Sequence, residues 1–320
     1  MKEFTKSFKK IIPYLRSTTM EAIECNPLHG ERLEIPGENY IIEVYFHRAT
    51  SKNAPVLFEL HGGGFVLGHA AKNDVLRELI KNRLDIHVVG INYRKAPEYP
   101  YPAAIIDVLT VMRFFSHHAK EYSLDPERYA VTGYSAGANL ATVACMKSRD
   151  ELTYRIRCQI LHYPFLDTVA DTQSRDKYPA DLPCEVIDAF VDLYTREEER
   201  ELPWVSPVHA SKEILVGMPP AVILTAKEDG LSKEGLLYAK LLEEAGVPTE
   251  AKEIEYAHHG YIEDYYNKAY FDSIPEDTKA SYRENFGEAA ENAIGLTIER
   301  LEKYLKHVYN LSTEHELGRL

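Results

Sequence analysis

The chain has 320 residues, 45% of them hydrophobic and 27% charged, with a formal net charge of −13. That length allows one large domain or two medium ones, and the composition is ordinary for a globular protein. The acidic balance argues against binding nucleic acid or an anionic membrane through bulk charge, and favours neutral or cationic small substrates only weakly.

Residues 1–25 carry apolar positions at Phe8, Ile11, Ile12 and Leu15, the spacing of an amphipathic helix. Charges interrupt that stretch, so it lacks the apolar run of a secretory leader. No later stretch approaches the roughly 18 apolar residues of a spanning helix; the expected location is the cytoplasm. Strands are predicted at 40–47 and 55–60, then a helix at 71–83, a strand at 86–91, a helix at 102–122 and a strand at 128–133. A helix at 137–148 and a strand at 156–163 follow. The remaining elements are a strand at 221–226, a helix at 233–245, a strand at 249–255 and a last helix at 288–309. Strands alternating with helices imply crossover connections and a mostly parallel sheet, buried on both faces. Residues 168–215 and the Tyr-rich 264–287 break the alternation and are expected to be insertions on that core. The four cysteines, Cys25, Cys145, Cys158 and Cys184, form no CxxC pair and have no metal-ligand spacing to a histidine, so reduced thiols are expected.

Two motifs carry chemistry. Gly133-Tyr134-Ser135-Ala136-Gly137 stands between the strand RYAVTG and a helix. A serine hydroxyl is a poor nucleophile unless it is exposed and has a base beside it. A Gly-x-Ser-x-Gly turn supplies the exposure, because small flanking residues let the backbones pass closely at a tight strand-to-helix elbow. The pentapeptide alone is also compatible with an ordinary glycine-rich turn; the flanking strand and helix favour the nucleophile. Upstream, His61-Gly62-Gly63-Gly64-Phe65 follows the strand PVLFEL. Consecutive glycines let main-chain N–H groups approach a substrate without a Cβ in the way. Such donors stabilise the negative oxygen of a tetrahedral intermediate, and the N–H of Ala136 is expected to add a further one. His61 is expected to brace the loop rather than act as a base.

These segments, with NYRKAPEYPYPAA at 92–104, SPV at 206–208, MPPAVILTAKEDGL at 218–231 and HHGY at 258–261, resemble the hormone-sensitive lipase family of bacterial esterases. The match runs from about 55 to 260. The resemblance implies an α/β-hydrolase fold, a mostly parallel twisted sheet flanked by helices, with a helical cap. The cap would comprise 1–35 and 168–215, and the core 36–167 and 216–320. It also implies oxyanion donors at Gly63, Gly64 and Ala136. On this fold the chain order of a triad is Ser, then Asp or Glu, then His. Asp229 follows the strand AVILTA, where such sheets place their sites, and aligns with the family's first acid; Glu228 is the rival. Lys233 replaces the family's second Asp. His259 aligns with the family's His-Gly-Phe, with Tyr261 in place of Phe, and the adjacent His258 is the rival. Glu98 and Asp107 are expected to brace structure. Asn92 stands where the family usually has Asp, so a bracing salt bridge is expected to be absent there. His117, His118 and His307 have no case for catalysis.

The function expected is a serine carboxylesterase for short acyl esters, roughly C2–C6, with Ser135 as nucleophile, His259 as base and Asp229 as its acid partner. No metal or organic cofactor enters that chemistry. The expected partner is a small-molecule ester, and the resemblance allows a homodimer. The alternatives are a deacetylase or amidase on the same triad, and a non-catalytic ligand-binding relative of the fold. Segment 264–287 is open between a surface or subunit pad and part of the pocket rim.

Overall fold

The computed structural model describes residues 2–24 and 28–306. Its strands are β1 (Glu31–Pro36), β2 (Ile41–His47), β3 (Ala54–Leu60), β4 (His87–Asn92), β5 (Leu124–Tyr134), β6 (Ile156–His162), β7 (Ala221–Glu228) and β8 (Thr249–His258). They form one sheet in the order β1-β2-β4-β3-β5-β6-β7-β8. Pairing is antiparallel at β1/β2 and β2/β4 and parallel from β4 onwards.

The helices, in chain order, are α1 (Glu3–Glu24), α2 (Asp74–Leu84), α3 (Ala103–His117), α4 (Ala119–Tyr122), α5 (Ala136–Ser148) and α6 (Cys184–Tyr194). They continue with α7 (Lys212–Leu215), α8 (Ser232–Glu244), α9 (Tyr261–Tyr266), α10 (Lys268–Ser273), α11 (Glu276–Lys279) and α12 (Phe286–Lys306).

Alternate residues of the central strands β3–β7 enter opposite cores, as the two-residue period requires. Val56, Phe58 and Leu60 of β3 belong to one core with Val108 of α3, Ala141 of α5 and Leu242 of α8. Leu57 of the same strand packs with Leu76 and Ile80 of α2 and Ile294 and Leu301 of α12. Every residue of β3 is buried, which explains an apolar run broken only by Glu59, whose carboxylate pairs with the buried Arg77.

Several boundaries differ from expectation. The helix at 102–122 is two helices, α3 and α4, and the one at 71–83 begins as a 3₁₀ turn over Ala70–Asn73, capped by the His69 side chain. β5 starts four residues early, at Leu124. β1 was not expected at all, and it lies inside the span that the sequence placed outside the sheet. Only Ile35 of its six residues is buried, so this edge strand has almost no hydrophobic signature. The last helix runs to Lys306; its expected end at 309, with His307 and Cys25, lies outside the described residues. Cys145, Cys158 and Cys184 are unpaired thiols.

The two irregular spans sit at the carboxyl ends of the strands. Residues 168–215 leave β6 and return to β7 with helical turns and no strand. Phe190 of α6 meets Phe8 of α1 edge to face, with ring centroids 5.6 Å apart. Residues 264–287 contain the end of α9, then α10 and α11, and lead into α12.

Candidate active site

β5 delivers Ser135 at its carboxyl end, and α5 starts at the next residue. Ser135 has φ 54° and ψ −118°, a conformation that costs a non-glycine residue about 1–3 kcal/mol unless its surroundings hold it. They do. Its N–H donates to the His162 carbonyl at 3.0 Å, and its own carbonyl accepts from Ala138 and Phe165. Both glycines of the pentapeptide have a steric reason. A Cβ on Gly133 would lie 2.6 Å from the Ala138 nitrogen, and one on Gly137 would lie 2.5 Å from the His61 carbonyl oxygen.

β7 and β8 run parallel and bring Asp229 and His259 beside the serine. His259 Nε2 is 2.9 Å from Ser135 Oγ, and His259 Nδ1 is 2.8 Å from Asp229 Oδ2. With Asp229 ionised, Nδ1–H donates to the carboxylate and Nε2 is left to accept the serine proton. The other Asp229 oxygen accepts the Leu231 N–H at 2.9 Å, which fixes the carboxylate plane. Burial opposes charge on the imidazole, but the field and hydrogen bond of Asp229, with Asp181 and Glu263 behind it, outweigh burial and raise its pKa above the ordinary 6.5.

The rivals are engaged elsewhere. His258 Nε2 is 3.2 Å from Asp264, and its ring stacks on Tyr282. Glu228 pairs with Arg283.

The glycine loop after β3 turns through positive φ at Gly63 (121°) and Gly64 (60°). The Gly63 carbonyl accepts from Val66 and Leu67, which closes the turn. Among the described residues, no backbone or side-chain acceptor takes the N–H of Gly63 or Gly64. Gly62 is different: its N–H donates to Glu263 Oε1 at 3.3 Å, and Glu263 also accepts from Asn73. Thus α9, which starts two residues after His259, braces the loop from the far side. Nothing in the sequence marked Glu263. His61 is fully buried, stacks on Tyr93 at 4.3 Å and donates Nδ1–H to the Gly62 carbonyl; burial keeps it neutral.

Serine, imidazole, carboxylate and glycine loop all line one cavity of about 780 Å³. Phe8, Leu15, Val186, Ile187 and Phe190 give it an apolar wall. Residues of the Tyr-rich span, among them Tyr270, Ile274, Thr278 and Tyr282, line it too, so that span belongs to the pocket.

The supporting residues also have defined partners. Glu98 pairs with Arg16, whose guanidinium donates to the Val66 and Ala96 carbonyls and ties α1 to the glycine loop. Asp107 holds Arg94. Asn92, instead of a salt bridge, donates to Glu43 and accepts from Lys95. Lys233 pairs with Asp176 at 2.7 Å, and Gly230 N–H approaches Asp181 at 3.4 Å, so residues 168–215 are fastened beside Asp229.

A Gly-x-Ser-x-Gly elbow on a mostly parallel eight-stranded sheet, with a carboxylate and an imidazole at the following strand ends, is the arrangement of the α/β-hydrolase class. Residues 57–263 match the family model described as alpha/beta hydrolase fold. Among curated proteins, esterase LipI of Mycobacterium tuberculosis is 34% identical over 232 residues, covering 72% of this chain and 71% of its own. The acetyl esterase of Salmonella dublin is 33% identical over 227 residues, covering 68% of each. Among solved structures, the carboxylesterase EstE1 from a metagenomic library superposes with a TM-score of 0.76 at 25% identity, covering 93% of this chain and 97% of its own. The chain belongs to the α/β-hydrolase fold family and, within it, to the esterases related to hormone-sensitive lipase, a class of carboxylic ester hydrolases.

Proposed function

We propose that the protein hydrolyses short-chain esters by a serine mechanism. Ser135 Oγ attacks the ester carbonyl carbon as its proton passes to His259 Nε2. The N–H groups of Gly63, Gly64 and Ala136 receive the oxyanion. The bond from carbon to the leaving alcohol breaks, and His259 returns the proton to that oxygen. Water then attacks the acyl-enzyme, His259 takes its proton, and Ser135 leaves with that proton restored. Asp229 holds the imidazole tautomer and stabilises the imidazolium.

The observation that carries this reading is the unbroken hydrogen-bond chain from Ser135 through His259 to Asp229, opening into a cavity beside the Gly63 and Gly64 N–H groups, which no acceptor among the described residues takes. α1 and residues 168–215 act as the cap, since Phe8 and Phe190 meet over the glycine loop. The apolar side chains of the pocket suit a short acyl chain of roughly C2–C6. The enzyme works in the cytoplasm.

The test is kcat/KM across p-nitrophenyl esters of increasing acyl length. A maximum at or below C6 is expected; a rate still rising at C12 contradicts the short-chain reading. An anilide of the same acyl group, included in the panel, separates the esterase from an amidase.

A further inference from the structure

Lys72 is a cation of the pocket that the chemistry above does not use. Lys72 lies in the 3₁₀ turn before α2 and lines the same cavity as Ser135 and His259. Its ammonium sits 3.7 Å from the centroid of the Tyr270 ring. Among the described residues that ring is its contact, and the ammonium makes no ion pair or hydrogen bond.

The placement is built by a second residue. Asn267 donates its Nδ2–H to the Lys72 carbonyl at 2.7 Å, and its Oδ1 accepts the Tyr270 N–H at 2.9 Å. Asn267 thus caps the helix that carries Tyr270 and pins it to the turn that carries Lys72. A ring face satisfies the charge of an ammonium but none of its three N–H donors.

The neighbouring carboxylates do not take those donors. Glu263 accepts from Gly62 and Asn73, and Asp264 accepts from Tyr282 and meets His258. They act through their field instead. Burial opposes the Lys72 charge, but Glu263, Tyr270 and Asp264 outweigh it and raise its pKa, so the ammonium stays protonated. Those two carboxylates also make this wall negative on balance, which disfavours a second anion. An uncharged oxygen is therefore the better acceptor. Ser273, Thr278 and Tyr282 add hydroxyl groups along the same wall.

Resting on the serine-esterase reading, we propose that Lys72 is a specificity-determining residue: its ammonium, seated on Tyr270, donates to an uncharged hydroxyl or carbonyl oxygen on the alcohol part of the substrate. The enzyme accordingly prefers acyl esters of polyhydroxylated alcohols to esters of plain alkyl alcohols. The acyl group lies against the apolar wall of Phe8, Val186 and Phe190.

The test uses the full chain and three acetates that share one acyl group: 2,3-dihydroxypropyl acetate, butyl acetate and 3-acetoxypropanoate. The wild type is expected to favour the diol ester over butyl acetate in kcat/KM. Lys72→Met is expected to lower that ratio roughly 10-fold, the size of a hydrogen bond from a charged donor, and Lys72→Arg to restore most of it. Tyr270→Leu, which removes the seat and keeps the ammonium, moves the ratio in the same direction as Lys72→Met. Fluorophosphonate titration of active sites normalises each variant for folded protein. A ratio in Lys72→Met within twofold of wild type overturns the proposal. So does a wild-type preference for 3-acetoxypropanoate that Lys72→Met abolishes, because the subsite would then read a carboxylate. Absence of turnover on all three acetates together with absence of fluorophosphonate labelling in the wild type overturns the esterase reading and this one with it; turnover with an unchanged ratio overturns this one alone.

Discussion

Gly64→Ala tests whether Phe190 of α6 presses on the glycine loop as the structure has it. A Cβ at residue 64 would lie 2.6 Å from Phe190 Cε2 and closer still to two other carbons of that ring. Phe190 is buried against Phe8, so it has little room to retreat. Forcing a methyl into such a contact costs about 1–3 kcal/mol. Residue 64 also has φ 60°, which costs alanine a further ~1–2 kcal/mol. The single variant should therefore lose about 2–5 kcal/mol of stability in urea unfolding, with loop N–H groups displaced and kcat reduced on the order of 100-fold. In a Phe190→Ala background the clash is gone and only the backbone cost remains. The double-mutant cycle should then show a coupling of about 1–3 kcal/mol, with part of the lost kcat regained. Additivity within about 0.5 kcal/mol would mean the two residues do not touch, and the picture of a cap resting on the glycine loop would be wrong.

Further outcomes follow from the same geometry. His259 must be neutral to accept the serine proton, so kcat/KM should rise with pH through a pKa above 6.5, the direction set chiefly by Asp229 against burial. Asp181→Asn removes a negative charge that favours the imidazolium, so the acid limb should move to lower pH; a limb that stays put or moves up contradicts the argument. The linked stability has a matching sign: the interactions that favour charged His259 contribute fully below the unfolded histidine pKa and are lost as pH rises through the higher folded pKa. Glu263→Ala leaves the buried Gly62 N–H without its acceptor and should lower kcat roughly 10-fold with little change in KM; Glu263→Gln keeps an acceptor oxygen and should recover most of the loss, while equal effects from both variants would assign Glu263 a purely electrostatic part.

The parts of the site that were legible in the sequence are those with local signatures. The elbow needed two glycines because backbones cross at residues 133 and 137, and that requirement is visible as a short motif. The central strands were visible because burial on both faces demands near-continuous apolar runs such as that of β3. Choosing His259 over His258 and Asp229 over Glu228 needed the family resemblance, since neighbours in sequence differ only in which way the strand end points. β1 escaped because a half-exposed edge strand with one buried residue carries no period. Glu263, Asp181 and Lys72 escaped for another reason: each is placed by a contact with a residue far away in the chain, Glu263 with Gly62, Asp181 with Gly230, Lys72 with Tyr270. Long-range contacts of single polar residues leave no local pattern.

The central claim is that Ser135 is the nucleophile, and Ser135→Ala tests it most directly. Intact-mass measurement after incubation with a fluorophosphonate should show one adduct on the wild type and none on the variant. The same variant, with the far-ultraviolet circular dichroism of the wild type, should lose p-nitrophenyl acetate turnover by a factor on the order of 10⁴–10⁶. A folded Ser135→Ala protein that still takes the label, or still turns over the ester at a tenth of the wild-type rate, would contradict the account.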